Sequence, residues 1–225
     1  IKHFPIDGLY LDFIRYPVHW EKHDMQMLDS CFSTRSLKQF EKYANIILPA
    51  NLNLTRKKAS WILKNHKTKW IHFKCHIITS FVAKVRKIIN ENNRKVKLGV
   101  FMIPWTNKDY NDAIRRIAGQ DIDQLKQYVD YISPMVYHKL LKCNIEWLVN
   151  TFKYFSKKSE KKMLPILQAF SIKPFDLIKA LRIADTFPPG KGYIIFGYKH
   201  LNSKKIYSLK KYFLSPAERR SSSIN

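Results

Sequence analysis

The sequence predicts an α/β fold in which parallel strands alternate with crossover helices, and three observations predict it. Five short segments rich in branched apolar residues recur along the chain. Stretches of helical apolar spacing separate them, which is the pattern of a parallel sheet buried under helices. No glycine-rich phosphate turn follows any of the five, so an open doubly wound sheet with a ligand at its switch point loses its main support.

The first strand is entered at Gly8. In Asp7-Gly-Leu-Tyr-Leu-Asp-Phe-Ile-Arg-Tyr-Pro17, Leu9, Leu11 and Phe13 alternate with Tyr10, Asp12 and Ile14, so one set packs against helices while the other points inward. Asp12 stands at the carboxyl end. Tyr16-Pro17 stops the pairing, because proline has no N–H to give a ladder, and the chain leaves in a loop that carries Arg15. Val18 to Ser33 reads as a long loop, with Ser33-Thr34 as an N-cap ahead of Leu37, Phe40, Tyr43 and Ala44 at helical spacing. Pro49 to Asn53 interrupts that helix. A long helix is expected from about Lys67 to Asn92, with Trp70, Ile77, Ile78, Phe81, Val85, Ile88 and Ile89 as one apolar stripe and its lysines facing out.

Val96, Leu98, Val100 and Met102 begin the second strand, which ends at Pro104-Trp105. Short helices are expected over Asp109 to Ile117 and Asp121 to Tyr128. Val129 to Val136 is the third strand and delivers Tyr137-His138 to its carboxyl end. A helix over Ile145 to Phe155 leads to a fourth strand, Met163 to Ala169, ending near Gln168. Phe175 to Ala184 is the next helix, and Gly192 to Gly197 a fifth strand ending at Tyr198. Leu214 to Asn225, with its serine run, reads as a flexible tail.

The DG-x-x-LD-x-x-RYP run of Asp7 to Pro17 resembles the fourth strand of glycoside-hydrolase-like barrels, and more distantly the DG-x-D-x-D-x-E strand of chitinases. The third strand with its tail, Tyr131-Ile-Ser-Pro-Met-Val-Tyr137-His138, is similar to the ISPMxY run of the same barrels and to the MxYD segment of chitinases. Departures stand beside the likeness: Ile14 occupies the position of the chitinase catalytic glutamate, Tyr10 that of the first aspartate, and His138 that of the aspartate after the tyrosine. The resemblance covers most of Asp7 to Tyr198. It implies a (β/α)8 TIM barrel of which strands four to eight are present in an N-terminally truncated chain, because five units are visible and eight need about 250 residues. Residues 1–213 are then the barrel domain and 214–225 the tail.

Composition bounds the alternatives. The 225 residues are 45% hydrophobic and 14% aromatic, enough for one packed core. No apolar run has the roughly 20 residues of a membrane span. Cys31, Cys75 and Cys143 are odd in number and lack CxxC spacing, which signals neither a disulfide framework nor a zinc site. The net charge of +24 raises the question of nucleic acid or another anionic polymer. Yet the lysines recur over Lys57 to Lys74, Lys153 to Lys162 and Lys199 to Lys211 on amphipathic segments, without a nucleic-acid motif, and read as solvated helix faces.

The strand ends supply the candidate site. Asp12 is the acid/base residue, and Tyr137 joins it because the resemblance implies a tyrosine hydroxyl in the sugar site. Tyr10, Arg15, Trp105, His138, Gln168 and Tyr198 are the candidate substrate contacts: aromatic rings stack on the apolar faces of sugars while polar groups fix hydroxyls. Glycosidic hydrolysis usually needs two carboxyl groups. The second is open among Glu21, Asp24 and Asp109, a part of the barrel outside this chain, or an acetamido group of the substrate itself. No metal or other cofactor is expected, since His19, His23 and Asp24 lack ligand spacing. The expected function is hydrolysis of a polysaccharide. The alternatives are a carbohydrate-binding barrel without chemistry and, ranked below it, an anionic-polymer or nucleic-acid binder; the compartment is open, with export or the cell envelope considered.

Overall fold

The structure, a computed structural model, describes residues 5–22, 27–92, 95–160, 162–187 and 192–214. The tail expected at 214–225 lies outside the described residues apart from Leu214, which ends a helix. Five strands, β1 (Gly8–Leu11), β2 (Lys97–Met102), β3 (Tyr131–Val136), β4 (Ile166–Gln168) and β5 (Ile194–Phe196), form one sheet. All four pairings are parallel, and spatial order equals chain order. A doubly wound sheet reverses its order at the switch point, and this one never does. Since crossovers share one hand, an order without reversal lays the helices on one face and lets the other curl in on itself. The result is a curled arc of a barrel-type sheet.

Alternation along the strands separates the two faces. Tyr10, Phe101, Ser133, Met135, Ile166, Ile194 and Phe196 share the concave side: the Tyr10 and Phe101 rings lie 4.9 Å apart, and Ser133 Oγ donates to Tyr10 Oη at 3.3 Å. Leu98, Val100, Met102, Ile132, Val136 and Leu167 have the opposite parity and are buried in the main core. Gly99 sits beneath the Tyr10 ring, where any Cβ would collide with it. Pro134 stands inside β3 without an N–H to offer, and pairing to β4 resumes at Met135.

Among the described residues eight α-helices accompany the sheet: α1 (Thr34–Ala44), α2 (Thr55–Asn65), α3 (Lys67–Glu91), α4 (Ala113–Arg116), α5 (Ile122–Leu125), α6 (Ile145–Lys158), α7 (Pro174–Asp185) and α8 (Ser203–Leu214). Ser33 caps α1 as its sequence predicts, its hydroxyl accepting the Ser36 N–H. The sequence carries no start signal for α2, because Leu54 gives it no side-chain cap. Packing holds α2 instead: Ile62 and Trp61 enter a second apolar cluster with Leu37, Phe40, Leu48, Trp70 and Phe73. Along α3 the buried stripe is rotated from the expected one, taking in Phe73, Cys75 and Val82 and leaving Phe81 and Ile88 exposed. Lys74 does not face out. It is buried, paired with Asp29 and bonded to the Arg116 carbonyl. The helix expected from Asp109 shrinks to α4, since Tyr110, Asn111 and Asp112 all take left-handed φ values of 50° to 58°.

Polar links tie the strands together at both ends of the sheet. At the entry side Asp130 accepts the Leu98 N–H at 2.9 Å and pairs with Arg86, whose Nε donates to the Tyr128 carbonyl at 2.8 Å. At the exit side Gln120, wholly buried, accepts the Ile103 N–H at 3.0 Å and donates to the carbonyls of Phe101 at 3.0 Å and Ile14 at 3.4 Å. One amide thus satisfies both β1 and β2 where their ladder stops. Gln120→Leu leaves those three groups unpaired in the interior and is expected to lower unfolding stability by about 2 to 4 kcal/mol, measured by urea denaturation.

Candidate active site

Strand exits converge on a cavity of about 270 Å³, just below the roughly 300 to 1,000 Å³ usual for small-molecule pockets. Its wall combines Asp12, Arg15 and Glu21 with Phe13, Trp20, Phe101, Met135, Tyr137, Ile194 and Phe196, among others. Asp12 follows the last residue of β1 and is exposed to the cavity, one of its carboxylate oxygens accepting the Phe13 N–H at 2.7 Å. Phe13 itself is held at φ 54°, a conformation that costs a bulky residue about 1 kcal/mol or more and recurs at functional sites. That kink lets the chain fold back. Arg15 places its guanidinium carbon 4.4 Å from the Phe13 ring centre, and Tyr16 N–H donates to the Ala118 carbonyl at 2.9 Å.

Arg15 is half-buried, and its Nε is enclosed without a hydrogen-bond partner among the described residues. Burial pulls its pKa below the ordinary value, while the charges of Asp12 and then Glu21 push it back up. Tyr137 is buried where β3 ends. Burial, reinforced by the negative charge of Asp12, raises its pKa, so it remains a neutral phenol able to donate. Its ring lies 5.7 Å from Trp20 and stacks at 5.8 Å on Phe196, with Phe170 edge-on at 5.5 Å.

The structure therefore brings Asp12, Arg15 and Tyr137 into one hollow, with Tyr10 just behind Phe101 as interior filling. The other expected contacts lie elsewhere. Trp105 is 3% exposed and belongs to the main apolar core, with the Tyr110 ring edge-on at 5.4 Å. Gln168 is 0% exposed and fully engaged: its carbonyl accepts the N–H groups of Lys139 and Leu140 at 3.0 and 3.1 Å, and its amide donates to Phe170 at 2.6 Å. It stitches β3 to β4 as Gln120 stitches β1 to β2. Tyr198 is 87% exposed in a 3-10 turn outside the cavity, since β5 ends at Phe196 and Gly197 redirects the chain at φ 97°. His138 is 1% exposed, off the cavity wall, and neither ring nitrogen has a partner among the described residues.

Sequence reasoning missed Trp20, Phe196 and Phe101 as parts of the aromatic wall. Parity with Tyr10 was the available signal for Phe101, and parity with Gln168's row for Phe196. Of the carboxylates left open as partners, Glu21 lines the cavity, whereas Asp109 is spent on the Thr106 N–H and hydroxyl at 2.6 and 2.8 Å. His23 and Asp24 lie outside the described residues. Among the described residues no group of three His, Cys, Asp or Glu side chains is placed to hold a metal ion, and no helix is long and apolar enough to cross a membrane. The three cysteines are free.

A family profile described as "Putative glycosyl hydrolase domain" matches residues 2–181. No curated protein matches the sequence. Among solved structures the chain is similar to the PgaB (BpsB) glycoside hydrolase domain from Bordetella bronchiseptica, with a TM-score of 0.64 and 13% identity over 96% of this chain and 56% of that one. It is also similar to a chitinase from Chromobacterium violaceum, with a TM-score of 0.52 and 10% identity over 93% and 92% of the two chains. At such identities the likeness is one of fold, and the chain spans 56% of the length of the first structure.

His138 gives this region a pH signature. Burial first, and Lys139 second, lower its pKa to about 4, with Asp176 opposing. Between about pH 6.5 and 4 the unfolded chain binds a proton that the folded chain refuses, so stability is whole above that window and falls as pH drops through it. The expected loss is on the order of 1 to 3 kcal/mol. His138→Leu should flatten the profile in urea titrations at pH 7 and pH 4.5.

Proposed function

Because the chain belongs to the glycosyl hydrolase domain family whose profile spans its residues 2–181, we propose that it hydrolyses a glycosidic bond in a polysaccharide, with Asp12 as the principal acid/base group. The observation that carries this reading is the meeting of Asp12, Arg15 and Tyr137 in one aromatic-walled hollow at the strand exits. Active sites of β/α barrels lie on that face, and the non-reversing strand order supports reading the five units as an arc of an eight-stranded barrel.

Each group has a physical task. Trp20, Tyr137 and Phe196 offer flat apolar surface to a sugar ring. The Tyr137 hydroxyl, kept protonated by its surroundings, donates to a sugar oxygen or to an acetamido carbonyl. Arg15, on the cavity wall, offers its guanidinium N–H groups to a substrate hydroxyl. Asp12 is reachable from solvent, as a group that exchanges protons with water and substrate must be.

Asp12→Asn keeps the shape of the side chain and removes its proton chemistry. Reducing-end release from a panel of cellulose, xylan, chitin, chitosan, amylose and pectate is expected to fall about 10²- to 10⁴-fold with an unchanged circular dichroism spectrum. Unchanged release would refute the role of Asp12. Binding of a panel member by the wild type without release would select the carbohydrate-binding reading, and affinity for anionic polymers that collapses with salt and ignores Asp12 would select the electrostatic one.

A further inference from the structure

We propose that Glu21 is the second carboxyl group of this site, the acid that protonates the departing sugar oxygen, an assignment that rests on the hydrolase reading above. Three observations converge on it. Glu21 and Asp12 line the same cavity, and the Arg15 charge feels both carboxylates. The turn that carries it is held by its neighbours: Trp20 is buried against Tyr137, and Lys22 N–H donates to the His19 carbonyl at 3.1 Å. Two further points of the chain are anchored, Tyr16 by its bond to Ala118 and Asp29 by the buried Lys74, which also reaches the Arg116 carbonyl.

Among the described residues the other carboxylates of the region are engaged away from this hollow. Asp109 holds Thr106. Asp112, Asp121 and Asp123 line a separate hollow of about 320 Å³ beside α4, α5 and α6, where Arg115 and Lys158 meet them. Glu21 has only the exposed His19 at 3.7 Å for a salt partner among the described residues.

Roles follow from what surrounds each acid. Asp12 stands at the strand exit, is the stronger partner of the Arg15 charge and accepts the Phe13 N–H, and it is assigned the base. In the step, the bond between the anomeric carbon and the glycosidic oxygen breaks, its electron pair going to that oxygen, which takes the Glu21 proton. A water oxygen bonds to the anomeric carbon and yields a proton to Asp12. Exchange with solvent then returns both carboxyl groups to their starting states.

Glu21→Gln tests this on the whole chain against two substrates of the sugar that the wild type cleaves: the polymer and its 4-nitrophenyl glycoside, whose leaving group needs no acid. Polymer turnover is expected to fall at least about 10²-fold and the alkaline limb of the pH–rate profile to vanish, while 4-nitrophenol release falls less than about tenfold. Asp12→Asn loses both reactions. Equal loss of both substrates in Glu21→Gln overturns the acid role, and so does near wild-type polymer turnover beside a dead Asp12→Asn, which leaves the hydrolase reading standing. A wild type that cleaves nothing in the panel overturns that reading and this assignment together.

Discussion

A parallel strand that stops short leaves backbone N–H and C=O groups facing the interior with no ladder to receive them. In this protein two buried glutamine amides meet that need at the exit face, Gln120 between β1 and β2 and Gln168 between β3 and the chain after β4. Each amide has one acceptor and two donor hydrogens, and each spends both kinds on main-chain groups at or just beyond strand ends. The first residues after the strands are thereby held in place beside the cavity.

That constraint explains how a carboxylate is presented to solvent from the edge of an apolar core. Gln120 grips the Ile14 carbonyl, two residues beyond Asp12, while the Asp12 side chain turns back on the Phe13 N–H. The left-handed Phe13 between them reverses the chain, so the loop with Arg15, Trp20 and Glu21 returns over the cavity. At the facing exit Gln168 holds Lys139 and Leu140 in place, and with them the start of the loop whose first residue is Tyr137. Strain at Phe13 persists because the surrounding bonds over-determine it.

Alternation along the first segment placed Asp12 and Arg15 near a strand exit, and the resemblance of the third strand's tail pointed to Tyr137; β1 itself stops at Leu11, well short of Pro17, where the pairing was expected to end. Strand number and direction were legible from the succession of strand and helix patterns. Parity alone does not say whether a polar group meets ligand or backbone, and Gln168 was assigned to the first when its three bonds belong to the second. Tyr198 was misplaced by two residues of strand length, because the turn at Gly197 comes earlier than hydrophobicity suggests. Trp20 lies in a loop without periodicity, and its burial against Tyr137 is a tertiary fact. The helix α2 was invisible because nothing caps it and only the Trp70 cluster retains it.

Three of the lysines behind the net charge of +24, Lys74, Lys162 and Lys205, are tied to main-chain carbonyls. The central claim is that the hollow framed by Asp12, Trp20 and Tyr137 is where a sugar sits. A crystal structure of the Asp12→Asn protein with an oligosaccharide of its polymer tests it most directly. The account predicts a sugar ring on the Tyr137 and Phe196 faces with a glycosidic oxygen beside residue 12; a sugar bound on the outer helices, with this hollow holding only water, would contradict it.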